Sequence, residues 1–214
     1  MELTRYTDAR AFMARVQAAL EETEAANNLM IGITNRLVEH PERFKFAPYL
    51  AAVTDGDAVV AAAVMTPPNR VILYSARGDD PAPLRLLVAD LVAGGWSAPG
   101  VVGPSTPARA FAELWQMETG RPYRPGMSER VYELRQVSPP SGVPGHLRPA
   151  RAEELPLLVE WIIGFNRDAH LTPDDLATIA EHLTQRIAAG EYFVWDDGGP
   201  VSVAGTGRHT THGM

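Results

Sequence analysis

Ser138-Pro139-Pro140-Ser141-Gly142-Val143-Pro144-Gly145 decides how this chain is read. Three prolines and two glycines in eight residues exclude a helix, because proline removes an N–H donor and clashes with the turn before it. The same missing donors exclude a central strand. The stretch reads as a linker, with 1–137 on one side and 146–214 on the other.

The two sides are alike. At a shift of 143, Arg5 falls on Arg148, Tyr49 on Tyr192, Val60 on Val203 and Ala61 on Ala204. Each side opens with a short Arg-containing strand and an amphipathic helix, and a second helix follows. A tyrosine then leads a strand, an acidic glycine turn and another strand. In the first half this is Tyr49-Leu50-Ala51-Ala52-Val53 before Thr54-Asp55-Gly56-Asp57. In the second it is Tyr192-Phe193-Val194-Trp195 before Asp196-Asp197-Gly198-Gly199. The shared order points to a duplication. Counted by the same shift, Met214 matches position 71, so 72–137 of the first copy have no counterpart.

Apolar spacing locates the helices. Ala9, Phe12, Met13, Val16 and Leu20 form one face, Leu84, Leu87, Val88 and Leu91 another, and Leu155, Leu158, Val159, Ile162 and Ile163 a third. Leu176, Ile179, Ala180, Leu183 and Ile187 mark a helix entered through Thr172, Pro173, Asp174 and Asp175 and closed by Gly190. Phe111, Leu114 and Trp115 mark one entered through Thr106-Pro107 and closed by Gly120. Val71-Ile72-Leu73-Tyr74, a helix over 83–93 and Val101-Val102 have the form of a β-α-β crossover. A last strand is expected at Glu129–Leu134. The expectation is an α/β (α+β) chain with a mixed sheet, antiparallel early and parallel at the crossover, flanked by helices, and a second, incomplete copy of it. An alternative is that 146–214 completes the first sheet.

Composition narrows the function. The chain has 214 residues, a formal charge of −7 and no cysteine, which excludes disulfides and thiolate metal sites. Nineteen Lys and Arg against 26 Asp and Glu argue against a general nucleic-acid binder. No apolar run approaches the roughly 20 residues that span a bilayer, so no membrane association is expected. The absence of cysteine and of a basic, apolar leader fits a cytoplasmic protein. Lysine occurs once, at Lys45, against 18 arginines, which reads as coding bias.

The element order, with Glu129-Arg130-Val131-Tyr132-Glu133-Leu134, His146-Leu147-Arg148-Pro149-Ala150, Glu154-Leu155 and Trp161-Ile162-Ile163-Gly164-Phe165, resembles the GNAT superfamily of acyl-CoA-dependent N-acyltransferases. It is most similar to the two-domain type, in which a degenerate first copy precedes the catalytic one. The resemblance implies a degenerate domain at 1–137, a linker at 138–145 and the opening half of a second acetyltransferase domain at 146–214. It implies acetyl-CoA as cofactor, a small-molecule or protein amine as acceptor, no metal, and attack of a neutral amine on the thioester. The alternative is a pseudo-acetyltransferase acting as a binding or homo-oligomerising module.

The family's strongest motif, [Gln/Arg]-x-x-Gly-x-[Gly/Ala] between the fourth strand and third helix, lets backbone N–H groups cradle a pyrophosphate. Neither copy has it. The first copy carries Ala76-Arg77-Gly78-Asp79-Asp80-Pro81-Ala82-Pro83, whose prolines remove donors and whose carboxylates favour the helix start themselves. In the second, the turn would lie beyond Met214, so the 214 residues are expected to be an inactive fragment. No catalytic residue is assigned. The family's acceptor pocket implies Trp161, Phe165, Asn166 and His170 as substrate-binding residues, and Asn27, Asn28 and Met30 occupy the matching place in the first copy. His209 and His212 fall on a strand or its end, where i and i+3 face opposite sides. Asp79/Asp80, Asp174/Asp175 and Asp196/Asp197 read as helix starts and turns. Gly205-Thr206-Gly207 reads as strand glycines.

Overall fold

The computed structural model describes residues 1–171, 175–207 and 209–213. They form two compact units, one of Met1–Leu134 with 209–213 and the other of the described residues within Arg135–Gly207. Each unit has its own sheet, of five strands in the first and three in the second. Residues 146–205 therefore do not complete the first sheet.

The first unit runs β1 (Glu2–Arg5), α1 (Ala9–Glu21), α2 (Glu24–Glu39), β2 (Tyr49–Asp55), β3 (Ala58–Met65), β4 (Val71–Ser75), α3 (Pro81–Ala93), β5 (Val101–Val102) and α4 (Ser105–Thr119). Strands β1 to β4 pair antiparallel in chain order, and β5 joins β4 in parallel across α3. This is the expected mixed sheet. Strand alternation sends Leu50, Ala52, Ala62 and Val64 to one face, where Phe12, Val16, Leu20 and Met30 of α1 and α2 meet them. It sends Ala51, Val53, Ala61 and Ala63 to the other, against Leu84, Leu87 and Leu91 of α3 and Phe111 of α4. Alanines at the sheet surface let both helix layers approach closely, and each large side chain so buried contributes roughly 2 kcal/mol. Helix α1 starts at Asp8, whose Oδ1 accepts the Arg10 N–H at 2.8 Å. Gly120, at φ 69°, ends α4 in the left-handed conformation.

The strand expected over Glu129–Leu134 does not form. Residues 120–145, which include the Pro/Gly stretch, carry neither helix nor strand. Val131, Tyr132 and Leu134 are exposed. The sheet edge that follows the crossover, β5, has two residues, too short to template a sixth strand.

The second unit runs β6 (His146–Pro149), α5 (Leu155–Asp168), α6 (Leu176–Ala188), β7 (Tyr192–Asp196) and β8 (Pro200–Gly205). Thr172, Pro173 and Asp174 lie outside the described residues. Helix α6 begins at Leu176 with Asp175 as N-cap, its Oδ1 accepting Thr178 N–H at 2.9 Å, so Asp175 stands before the first turn rather than in it. Leu158, Ile179, Leu183 and Ile187 bury against Ala150 and Val194 of the sheet. Leu176, expected on this face, is exposed at the helix start, and Ile163 lies outside the apolar stripe.

The two units repeat the same motif, but not at a constant shift of 143. Thr4 pairs with Ala52 and Ala52 with Ala62; Arg148 pairs with Val194 and Val194 with Val203. In both triplets the second and third residues face the helix pair. The offsets are 144, 142 and 141. Both ladders slip between residues 142 apart, at Val53/Thr54 and at Trp195/Asp196. Tyr6 N–H donates to Leu50 C=O at 2.9 Å as Ala150 N–H donates to Tyr192 C=O at 2.8 Å. A shift of 143 in β2 would set Ala51 on Val194, and these point to opposite faces of their sheets. The four identities read from the sequence are thus not structural equivalents. The repeat resides in pairing, bulge and burial.

Candidate functional site

Trp161, Phe165 and Asn166 lie on the last two turns of α5, and His170 lies just past them. Trp161 packs part-buried against the α5–α6 core. Phe165, one turn on and on the same face, is 62% exposed. Helix α5 closes in a Schellman arrangement: Leu171 N–H donates to Asn166 C=O at 2.9 Å and His170 N–H to Arg167 C=O at 3.1 Å. His170 fills the left-handed position at φ 53°, where glycine is the usual occupant. The sequence therefore brings the four residues to one helix end. Among the described residues neither the Asn166 amide nor the His170 imidazole has a side-chain hydrogen-bond partner. The arrangement offers an exposed ring, an amide and an imidazole, a set suited to holding an amine by stacking and hydrogen bonding. Among the described residues no carboxylate is aligned on His170 to set its tautomer, so they form no proton-transfer pair with it.

The conformation of His170 gives a direct test. His170→Gly should stabilise the second unit by up to about 1 kcal/mol, because glycine takes a positive φ without a Cβ clash. Chemical denaturation of the two proteins checks it, and a loss of stability would mean that the imidazole holds the turn.

Of the matching residues of the first unit, Asn27 and Met30 serve the fold. Asn27 is buried and donates to Leu20 C=O at 2.9 Å and to Thr23 Oγ1 at 3.0 Å, tying the start of α2 to the end of α1. Met30 is core.

The turn before α3 is occupied by its own side chain. Asp80 is the N-cap of α3 and its Oδ1 accepts the Ala82 N–H at 3.0 Å. Pro81 and Pro83 contribute no donor. The free N–H groups and the dipole of this helix start are consumed by a carboxylate, which also repels a phosphate. The cleft between the starts of α3 and α4, about 500 Å³, is lined by Asp79 and Glu113 as well as Arg85 and Arg109, so its charge is mixed.

His209 and His212 do not lie on a strand, since β8 ends at Gly205. His212 Nδ1 lies 2.6 Å from Glu24 Oε2, and the His212 N–H donates to Glu24 Oε1 at 2.8 Å. Hydrogen bonds from Thr210 and then from His212 hold the Glu24 carboxyl at about 2, and Glu24 in turn raises the imidazole. No group of three metal-ligating side chains occurs among the described residues. No described helix is long and apolar enough to cross a membrane.

Two features escaped the sequence reading. Arg148 joins two elements through Glu154 and Asp196, with Nη2 2.5 Å from Glu154 Oε1 and Nε 2.7 Å from Asp196 Oδ2. Its signal was the alternation in His146–Ala150, which puts Arg148 on the helix-facing side. The second is a cleft of about 470 Å³ beside α1, walled by the Phe44-Lys45-Phe46 segment. No family model matches the chain, and neither a curated protein nor a solved structure matches it.

Proposed function

We propose that this chain belongs to a two-domain acetyl-CoA-dependent N-acetyltransferase, with the first unit a degenerate copy that does not hold the cofactor. The observation that carries the reading is the repeat. A β-α-α-β-β motif with the same pairing and the same bulge occurs twice, on either side of the Pro/Gly stretch. In the first unit it continues into the antiparallel β4, the crossover helix α3, the parallel β5 and α4, which is the order the resemblance implies. In that order the cofactor turn precedes α3, and here Asp80, Pro81 and Pro83 stand in it. On this reading the second unit supplies the acceptor side of a catalytic domain, with Phe165, Asn166 and His170 at the amine. The amine attacks the thioester carbonyl with the help of a general base and a polarising N–H, and none of the 214 residues is assigned to either role.

Titration calorimetry with acetyl-CoA tests the first part. No saturable heat is expected up to about 1 mM, and tight binding overturns the account of α3. The coding frame past the Met214 codon tests the second part. A strand followed by [Gln/Arg]-x-x-Gly-x-[Gly/Ala] supports the enzyme. A stop codon there favours the second reading, a pseudo-acetyltransferase that associates with itself or a partner. The exposed β8 edge and the apolar Leu147, Phe193 and Trp195 on the sheet face away from α5 and α6 support that reading.

A further inference from the structure

The cleft beside α1 lies between the start of that helix, the end of α2 and residues 41–48. Its volume of about 470 Å³ falls in the range of small-ligand sites. Leu37, Val38, Phe44, Phe46 and Pro48 supply the apolar part of its wall, and Thr7, Asp8, Arg10 and Lys45 lie on the polar part. Phe46 is 51% exposed, and Lys45 Nζ stands 5.4 Å from the centre of its ring. Two cations border the cleft, Arg10 and Lys45, and neither has a carboxylate within ion-pair distance among the described residues. Asp8 is the one carboxylate in the lining, and its Oδ1 is engaged by the Arg10 N–H at 2.8 Å as the cap of α1. Glu42, next along the loop, lies 3.4 Å from His40 Nδ1. In a chain of net charge −7, this is a hollow of mixed apolar and polar lining that includes two cations held in no ion pair among the described residues.

We infer that this cleft binds a small organic carboxylate with an aromatic or branched alkyl body. The body lies between Phe44 and Phe46, where apolar surface is removed from water. The carboxylate meets Lys45 and Arg10, whose charges are unspent and partly screened by solvent. A neutral isostere gains only the apolar part, and a cation is repelled. The inference is independent of the acetyltransferase reading.

Lys45 is the only lysine, so reductive methylation with labelled formaldehyde places a single lysine reporter in the cleft and keeps its charge. The probe is 3-phenylpropionate, with 3-phenylpropanamide as the neutral control. The expected result is a saturable shift of the Lys45 signal by the acid, at least about tenfold weaker for the amide, which is a factor set by one ion pair. Phe46→Ala should weaken the acid at least about fivefold, and its half-exposed position keeps the fold intact. Lys45→Glu, followed by calorimetry, should abolish binding, and Lys45→Arg should retain it. No shift up to about 10 mM, equal binding of acid and amide, or an unchanged affinity in Phe46→Ala each overturns the inference.

Discussion

Replacing Arg148 by leucine is expected to abolish cooperative unfolding of the second unit and to leave the first unit's transition in place. The Arg148 side chain is 12% exposed and holds Glu154 and Asp196, themselves 11% and 19% exposed. One guanidinium binds both oxygens of Glu154, at 2.5 and 3.0 Å, and Asp196 Oδ2 at 2.7 Å. It thereby joins β6 to the start of α5 and to the end of β7. Removing it takes the one ion-pair partner from two shielded carboxylates and leaves only the more distant Arg151 and His146 acting on them, which costs more than the net worth of the ion pairs. A unit of about 70 residues has little stability in reserve. Hydrogen exchange resolved by peptide separates the two units, and β7 peptides should lose their protection. The triple variant Arg148→Leu, Glu154→Gln and Asp196→Asn should regain much of it, since no charge is then stranded. An Arg148→Leu protein with β7 still protected would show that water screens the cluster.

The same cluster sets an acid limit. Hydrogen bonds from Arg148 hold the Glu154 and Asp196 carboxyls below the usual carboxylate range. Carboxyls depressed on folding contribute stability that is complete above their unfolded values, near 4, and is lost as pH falls through the folded ones. The second unit should therefore lose stability only as pH falls below about 4, and the triple variant should lose that dependence.

Helix existence was legible because apolar spacing survives any detail of packing. The faces of Phe12, Val16 and Leu20 and of Leu84, Leu87, Val88 and Leu91 are buried as their spacing requires. The crossover was legible for the same reason, with Asp80 and two prolines marking where α3 begins. Register was not. A pairing slip of one residue reverses a strand's faces, and β2, with Leu50-Ala51-Ala52-Val53, is apolar on both sides because helices cover both. Such a strand carries no alternation, so identities at a constant offset outweighed parity. The strand expected at Glu129–Leu134 failed differently. Glu129-Arg130-Val131-Tyr132-Glu133-Leu134 mixes apolar and charged residues on both parities, and pairing needs a sheet edge, of which β5 presents two residues. The helix end at Trp161–His170 was placed correctly in sequence, whereas the left-handed turn at His170 has no signature when glycine is absent. The Lys45 cleft carries no sequence signature, because a single lysine among arginines is compositional in appearance and its walls come from α1, α2 and residues 41–48 together.

Face parity yields the second large effect. Val194→Asp should unfold the second unit, by roughly 3 kcal/mol or more, because the side chain is fully buried in the core of Leu158, Ile179 and Leu183 and its cross-strand neighbour Arg148 is already held by Glu154 and Asp196. Phe193→Asp, one residue away, should cost far less. Phe193 pairs with Pro149 and Ala204 on the opposite face, where no helix of its own unit packs. The equivalent pair in the first unit, Ala52 and Ala51, should show no such contrast. Ala52 faces α1 and α2, Ala51 faces α3 and α4, and aspartate at either position strands a charge in a core. Four single variants measured by denaturant titration and hydrogen exchange therefore read the number of covered faces on each sheet. Equal damage from Val194→Asp and Phe193→Asp would mean that the second sheet is covered on both faces in solution. Something absent from Arg135–Gly207 then does for it what α3 and α4 do for the first.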